Sequence, residues 1–296
     1  MFKQVGYFTF MGKINSLFLV SVVVLMLCAS CSKYEKLLKS SDSEAKWQAA
    51  LKYYDKGKYK RATPLFDALV LSHRGTPRDD TTNFYMAKSY YLNKDPFTAE
   101  YYFATFKNTF PRSPFAEEAA YLQGVCLYDA SYRPELDQSP TQKALTVFAE
   151  FNYTFPNSKW KEDVKLMTDD LVNRLIMKQF SSGKFYYKVE DYRAAIVTLK
   201  NSIKDYPDSK YREESLYLIL RSNFLYAANS VRDKQVERYQ QTVDEYFNFI
   251  SEYPESKYTK AAKDMYDKSL ASIANRTKLT RKEQREEKAM DKKLIE

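Results

Sequence analysis

The chain has 296 residues, of which 16% are aromatic and six are glycine, and it carries a net charge of +9. No two glycines form a GxG pair, which excludes the glycine-rich phosphate loops of nucleotide-binding folds. Basic and acidic residues alternate along most of the chain and form no basic stripe, so nucleic-acid binding is not expected.

The N-terminus has the pattern of a secretory signal peptide. Lys13 is followed by a largely apolar run over residues 14–27. Its apolar core, residues 17–27, is shorter than the roughly twenty residues that cross a bilayer. We therefore predict a signal peptide at residues 1–30, with Met11 as an alternative start.

A cysteine follows this segment directly. Small residues before Cys31 resemble the lipobox of bacterial lipoproteins, although Cys28 replaces the usual leucine. The resemblance implies cleavage between Ser30 and Cys31, lipidation of Cys31 and a lipid-anchored linker at 31–42. Acylation would leave Cys126 as the single remaining thiol, predicted to be a small buried side chain. The alternative is an ordinary cleaved signal with incidental cysteines.

A closing motif, Tyr/Phe-Pro-x-Ser with an aromatic residue two positions later, occurs four times. The copies begin at Phe110, Phe155, Tyr206 and Tyr253. The residue twelve positions before the proline is alanine in three copies and threonine in the fourth: Ala99, Ala144, Ala195 and Thr242. Four residues after each of these lies a large side chain: Phe103, Phe148, Leu199 and Tyr246. The pattern predicts a helix of about three turns that ends at the proline, with the serine capping the next helix. An earlier, fifth copy has the same spacing at Ala62, Phe66 and Leu69, and Arg74 occupies the position of the proline.

The helices that precede these also repeat, at a spacing of 37 residues. The matching positions are Trp47, Phe84 and Tyr121; Ala50, Ala87 and Gly124; and Tyr54, Tyr91 and Tyr128. Within one helix these positions have the spacing i, i+3, i+7, as in Trp47, Ala50 and Tyr54. This spacing places an aromatic, a small and an aromatic residue on one side of the helix. Each unit is therefore a helix pair, and eight extra residues at 133–140 form an inserted loop.

The repeats divide the chain into predicted regions. Residues 43–157 hold repeats 1–3, and residues 158–275 hold repeats 4–5 with a closing helix. Ser181-Ser182-Gly183 is a candidate kink or break in the long first helix of the fourth repeat. The charged segment 276–296 is expected to be either a solvated helix or a disordered tail.

These helix pairs resemble the tetratricopeptide repeat, although their period exceeds that family's 34 residues. With lipidation and five repeats, the chain resembles the BamD family of lipoproteins of the outer-membrane β-barrel assembly machinery. The resemblance implies an all-α, right-handed superhelix of about five helix pairs plus a C-terminal helix. It also implies a non-enzymatic scaffold that faces the periplasm and binds a BamA-like barrel-inserting subunit and nascent outer-membrane proteins.

The sequence contains no recognised motif for catalysis or metal binding. His73 is the single histidine, which excludes a multi-histidine metal centre, and GxSxG and HExxH are absent. We expect His73 to be a packing residue, and no cofactor or metal. Paired acids such as Asp79-Asp80 and Glu117-Glu118 lie near predicted helix starts, where negative charge stabilises the helix. The main alternative is a carbohydrate-capturing lipoprotein similar to the SusD group, although nothing in this sequence supplies that group's large sugar-binding region. Another tetratricopeptide-repeat lipoprotein that binds glycan or a different envelope partner is also an alternative.

The first helices of stacked pairs form a surface suited to an extended peptide or a partner domain. Tyr54, Tyr91 and Tyr128 could present hydroxyl groups on this surface, with Lys88 and Lys52 available to meet a carboxylate. The competing interpretation is that the tyrosines pack between repeats.

Overall fold

The computed structural model describes residues 33–295, so the predicted signal peptide, Ser30 and Cys31 lie outside the described residues. Within this range the chain is all-α and contains no strand, as predicted. Residues 33–39 are helical. The helices that follow are α1 (Ser43–Asp55), α2 (Tyr59–His73), α3 (Asp79–Leu92), α4 (Pro96–Thr109), α5 (Ala116–Ala130), α6 (Ser139–Thr154), α7 (Lys161–Lys188), α8 (Tyr192–Asp205), α9 (Arg212–Ala228), α10 (Arg232–Glu252) and α11 (Thr259–Ile295).

The described helices after residue 39 form five successive pairs and a closing helix, divided between two compact units. The first unit contains the described residues up to Ser131 together with Ser139–Met167. The second contains Tyr132–Gln138 and the chain from Thr168 onward. In the first unit each helix from α1 to α6 packs on the next, and in the second α8 to α11 do the same. The paired arrangement is thus confirmed, whereas the domain limits drawn from the repeats remain a prediction.

The second helix of each pair is held by the residues that the repeat predicts. The small residue of every copy is fully buried, as are the large apolar residues of the first four copies. These residues are Ala62, Ala99, Ala144, Ala195 and Thr242, with Phe66, Phe103, Phe148 and Leu199. Burying each such large side chain stabilises the fold by roughly 1.5–3 kcal/mol.

The closing motif adopts the same turn in all four copies. The serine Oγ accepts a hydrogen bond from the backbone N–H of the aromatic residue two positions later, over 3.0–3.2 Å. The next helix begins three residues after the serine. The serine therefore closes the turn before the helix, and the prediction that it caps the helix itself is wrong. Thr76 Oγ1 accepts the same bond from Arg78 N–H, so the first repeat closes in this way without proline.

The aromatic residue after each serine joins one repeat to the previous one. Its ring stacks on the first-helix aromatic ring, with centroids 4.1–4.9 Å apart and interplanar angles of 6–14°. The stacked pairs are Phe115 on Phe84, Trp160 on Tyr121, Tyr211 on Phe180 and Tyr258 on Tyr217. In the first repeat the guanidinium of Arg78 lies over the Trp47 ring at 5.3 Å, a cation–π contact in the same position.

The fourth repeat differs from the sequence prediction. Helix α7 is not broken at Ser181-Ser182-Gly183 and runs on to Lys188. A Cβ at Gly183 would lie 2.6 Å from Leu199 Cδ2, so the glycine provides room for this side chain of α8. At the C-terminus the predicted closing helix and most of the charged segment form one helix, α11.

Candidate partner-binding surface

Tyr54 is anchored by aromatic contacts in the first unit. Its half-buried ring meets Tyr59, Phe66 and Tyr85 edge-on, at centroid distances of 4.9–6.4 Å. Burial raises the pKa of its hydroxyl well above the ordinary value of a tyrosine. Since Tyr85 belongs to α3, Tyr54 packs between the first and second pairs.

Tyr91 occupies the equivalent position one repeat later and connects α3 to α5. Its hydroxyl donates a long hydrogen bond of 3.4 Å to the carboxylate of Asp129, which is exposed. Burial and the Asp129 charge raise the pKa of Tyr91 to about 12. Tyr128, the third of the series, is half-buried near the end of α5. The hydroxyl of Tyr91 and the carboxylate of Asp129 therefore form a polar spot on the first-helix face, our name for the surface at Tyr54, Tyr91 and Tyr128.

Lys88 is already paired within the protein. Its ammonium group lies 2.6 Å from a carboxylate oxygen of Glu118 and 5.4 Å from the centre of the Phe84 ring. The same arrangement occurs in the second unit, where Lys184 meets Glu214 at 2.7 Å and the Phe180 ring at 5.3 Å. Lys88 thus connects α3 to α5, the first helices of the second and third repeats. A carboxylate of a partner protein would have to compete with Glu118 for it. Partner binding at Lys88 and the three tyrosines stays a prediction.

Asp79, Asp80 and His73 have partners within the protein. Asp79 accepts from Gly75 N–H at 2.7 Å, and Asp80 accepts from the closing Ser113 hydroxyl at 2.7 Å, both at the start of α3. His73 is buried, with Nδ1 2.7 Å from Thr82 Oγ1. Burial lowers the His73 pKa, which favours the neutral ring. These contacts agree with the packing role expected for His73. They also agree with the expected position of Asp79 and Asp80 at the start of a helix.

Two other sequence expectations concern cysteine and metal ligands. Cys126 is buried, as predicted, and burial raises the pKa of its thiol. Over the part of the chain that the structure describes, no group of three or more His, Cys, Asp or Glu side chains could hold a metal ion. None of the described helices combines the length and the apolar character needed to span a membrane.

The first unit also contains a groove that the sequence pattern does not predict. It has a volume of about 690 Å³ and lies between α2, α3 and α4, with Leu71 and Tyr101 largely exposed at its rim. Asp67 lines it half-buried and accepts a hydrogen bond from the Tyr90 hydroxyl at 2.8 Å. Burial raises the pKa of this carboxyl. The signal in the sequence was Leu71 and Tyr101, two large apolar residues outside the periodic core positions.

Comparison with known proteins agrees with the repeat pattern. A family model described as "YfiO: Outer membrane lipoprotein" matches residues 39–235 and 186–283. The outer membrane protein assembly factor BamD of Neisseria gonorrhoeae is 28% identical over 171 residues, covering 54% of this chain and 64% of that protein. BamD of Neisseria meningitidis serogroup B is 24% identical over 217 residues, covering 68% of this chain and 81% of the relative.

The length of the matched region varies among relatives. BamD of Rickettsia prowazekii is 28% identical over 168 residues, covering 57% of this chain and 67% of the relative. The match spans less than two thirds of the gonococcal protein, and 41% of BamD from Caulobacter vibrioides. The resemblance inferred from the closing motifs and helix pairs is confirmed.

Proposed function

The chain belongs to the YfiO family of outer membrane lipoproteins, and from that premise we propose that it is a non-enzymatic scaffold of the β-barrel assembly machinery. The supporting observation is the family match along the repeats, together with several relatives that are outer membrane protein assembly factors. In this proposal Cys31 carries the lipid anchor and the helix pairs face the periplasm.

The scaffold positions its partners and does not transform them. We propose that it binds a BamA-like barrel-inserting subunit and nascent outer-membrane proteins through the first-helix face. Tyr91 and Asp129 support this assignment, because their long hydrogen bond leaves polar groups that a partner backbone can contact.

Site-specific photocrosslinking in living cells tests the proposal. A photoreactive residue replaces Tyr91 or Tyr128, and Tyr153 is the matched control because it is a tyrosine of the same unit that is 90% exposed. We expect Tyr91 and Tyr128 to give adducts with a large outer-membrane barrel protein that contains periplasmic transport domains. Adducts with that protein from Tyr153 alone would refute the surface assignment. Capture of only a TonB-dependent transporter would refute the proposed function.

A further inference from the structure

We propose that the basic end of the first repeat, defined by residues 33–36 and 52–61, rests on the anionic phospholipid headgroups of the anchoring membrane. The inference rests on the proposed lipidation of Cys31. It adds a second membrane contact, made by the folded protein itself.

The segment after the lipid-bearing cysteine is fixed to the first repeat. Tyr34, Leu37 and Leu38 pack against the core of α1 and α2. The Tyr34 hydroxyl donates to the backbone carbonyl of Arg61 at 3.0 Å. The Arg61 guanidinium lies 5.7 Å from the Tyr34 ring and 5.6 Å from the Tyr53 ring. These contacts place the start of the segment beside the end of α1 and the beginning of α2.

The turn between α1 and α2 lies at this same end. Lys58 N–H donates to the Tyr53 carbonyl at 2.8 Å, and Gly57 adopts a left-handed conformation with φ of +67°. The backbone of the turn is therefore held against Tyr53, whose ring also meets Tyr34 at 5.8 Å.

Positive charge is concentrated at this end. Its two segments contain seven basic residues and two acidic ones. The basic residues are Lys33, Lys36, Lys52, Lys56, Lys58, Lys60 and Arg61, and all are exposed. Within the described residues none of the seven forms an ion pair. Their charges are thus available to an external anion.

The equivalent turns of other repeats lack this charge. Residues 89–98 of the second repeat contain one basic and one acidic residue. Residues 185–194 of the fourth contain two of each. The basic turn therefore belongs to the repeat nearest the anchor and is not a property of the repeating unit.

Covalent geometry brings this end close to the membrane. Cys31 precedes Lys33 by two residues, and a chain extends by at most about 3.6 Å per residue, so the two Cα atoms are at most about 7 Å apart. The Debye length at physiological ionic strength is about 8 Å. A lipid on Cys31 would hold the basic end within the range of the headgroup charges. We therefore favour an anionic lipid surface over an acidic protein as the occupant, since basic residues beside an anchor provide a second binding signal.

Vesicle cosedimentation tests the proposal without the lipid. The probe protein is the chain from residue 31 with Cys31→Ser, and the vesicles contain phosphatidylcholine alone or with phosphatidylglycerol. We expect binding to phosphatidylglycerol vesicles to be about tenfold tighter or more, and to be lost at high salt. Lys56→Glu, Lys58→Glu and Lys60→Glu together should abolish the preference.

A matched triple variant controls for total charge. Lys143→Glu, Lys204→Glu and Lys260→Glu change the net charge equally at exposed positions outside the basic end, and this protein should retain the preference. Circular dichroism confirms that both variants fold. Equal binding to the two vesicle types, or equal losses in the two triple variants, would overturn the proposal. Because this probe has no acyl chain, such a failure would leave the photocrosslinking test of the proposed function unaffected.

Discussion

At the scale of single residues, Gly124 has the closest approach of any described glycine. A Cβ at this position would lie 2.2 Å from Phe148 Cε1 and 2.6 Å from Phe148 Cδ1. Phe148 is fully buried, so its ring has no solvent-filled space into which it could move. The 37-residue spacing predicted that a small residue is needed here, and the structure shows that the approaching group is a phenyl ring.

We expect Gly124→Ala to lower the free energy of unfolding. Overpacking costs about 1–3 kcal/mol, which exceeds the gain of about 1 kcal/mol in helix propensity from glycine to alanine. Urea denaturation measures the change. In the Gly124→Ala background, Phe148→Leu should cost less stability than it does in the parent, because the shorter side chain relieves the overlap. A stability of Gly124→Ala equal to or above that of the parent would contradict the proposed contact.

Asp67 links stability to pH. Burial raises the pKa of its carboxyl in the folded protein, so the folded state holds this proton more tightly than the unfolded state does. Its contribution to stability is therefore fully present below the ordinary carboxyl pKa and is lost as pH rises through the raised folded value.

We expect Asp67→Asn to flatten the fall in unfolding free energy over that window. The amide oxygen can still accept from the Tyr90 hydroxyl, while the titration is removed. Tyr90→Phe should steepen the fall, because the hydroxyl lowers the Asp67 pKa. Urea denaturation at a series of acidic to neutral pH values gives the slopes. An unchanged slope in Asp67→Asn would rule out Asp67 as the source.

At the scale of helices and turns, two of the closing serines, Ser113 and Ser256, link successive repeats. Ser256 Oγ accepts from Tyr258 N–H at 3.0 Å and donates to the Glu213 carboxylate at 2.6 Å. Ser113 makes the corresponding pair of bonds with Phe115 and Asp80. One side chain therefore fixes the turn and also holds the start of the previous first helix.

We expect Ser256→Ala to destabilise the protein by about 1–2 kcal/mol, since a backbone donor and a partly buried carboxylate each lose a partner. Ser251→Ala is the matched control, because Ser251 is exposed and donates only to the carbonyl of Asn248 three residues earlier. The control should change stability by less than about 0.5 kcal/mol. Chemical denaturation compares the two variants. Equal effects would show that the closing turn has no special role.

The sequence predicted the helix pairs because their periodicity follows from which side chains must be buried. It did not predict the uninterrupted α7, because local propensity at Ser181-Ser182-Gly183 favours a break and the fit of Leu199 against Gly183 outweighs it. The Lys88 to Glu118 ion pair was also missed, since the partners lie 30 residues apart on different helices. The groove at Asp67 depends on the gap between α2 and α4, which periodicity does not specify.

At the scale of the whole molecule, one repeating unit accounts for the aromatic-rich composition. In the four repeats that carry the closing motif, one aromatic residue ends the second helix, and another, after the serine, stacks on a first-helix ring. The family match extends along residues 39–283, through all five pairs. In the proposed function, these pairs position the partners of outer membrane protein assembly.

Depletion of the protein from its native cells tests whether it acts in outer membrane protein assembly. The measurement is the fraction of newly made outer-membrane β-barrel proteins that reach the folded form, read from their heat-modifiable migration on gels. We expect unfolded barrel proteins to accumulate soon after depletion. The parent sequence should restore their folding, and Cys31→Ser should do so less well. Normal folding of the barrel proteins after depletion would contradict the proposed role in assembly.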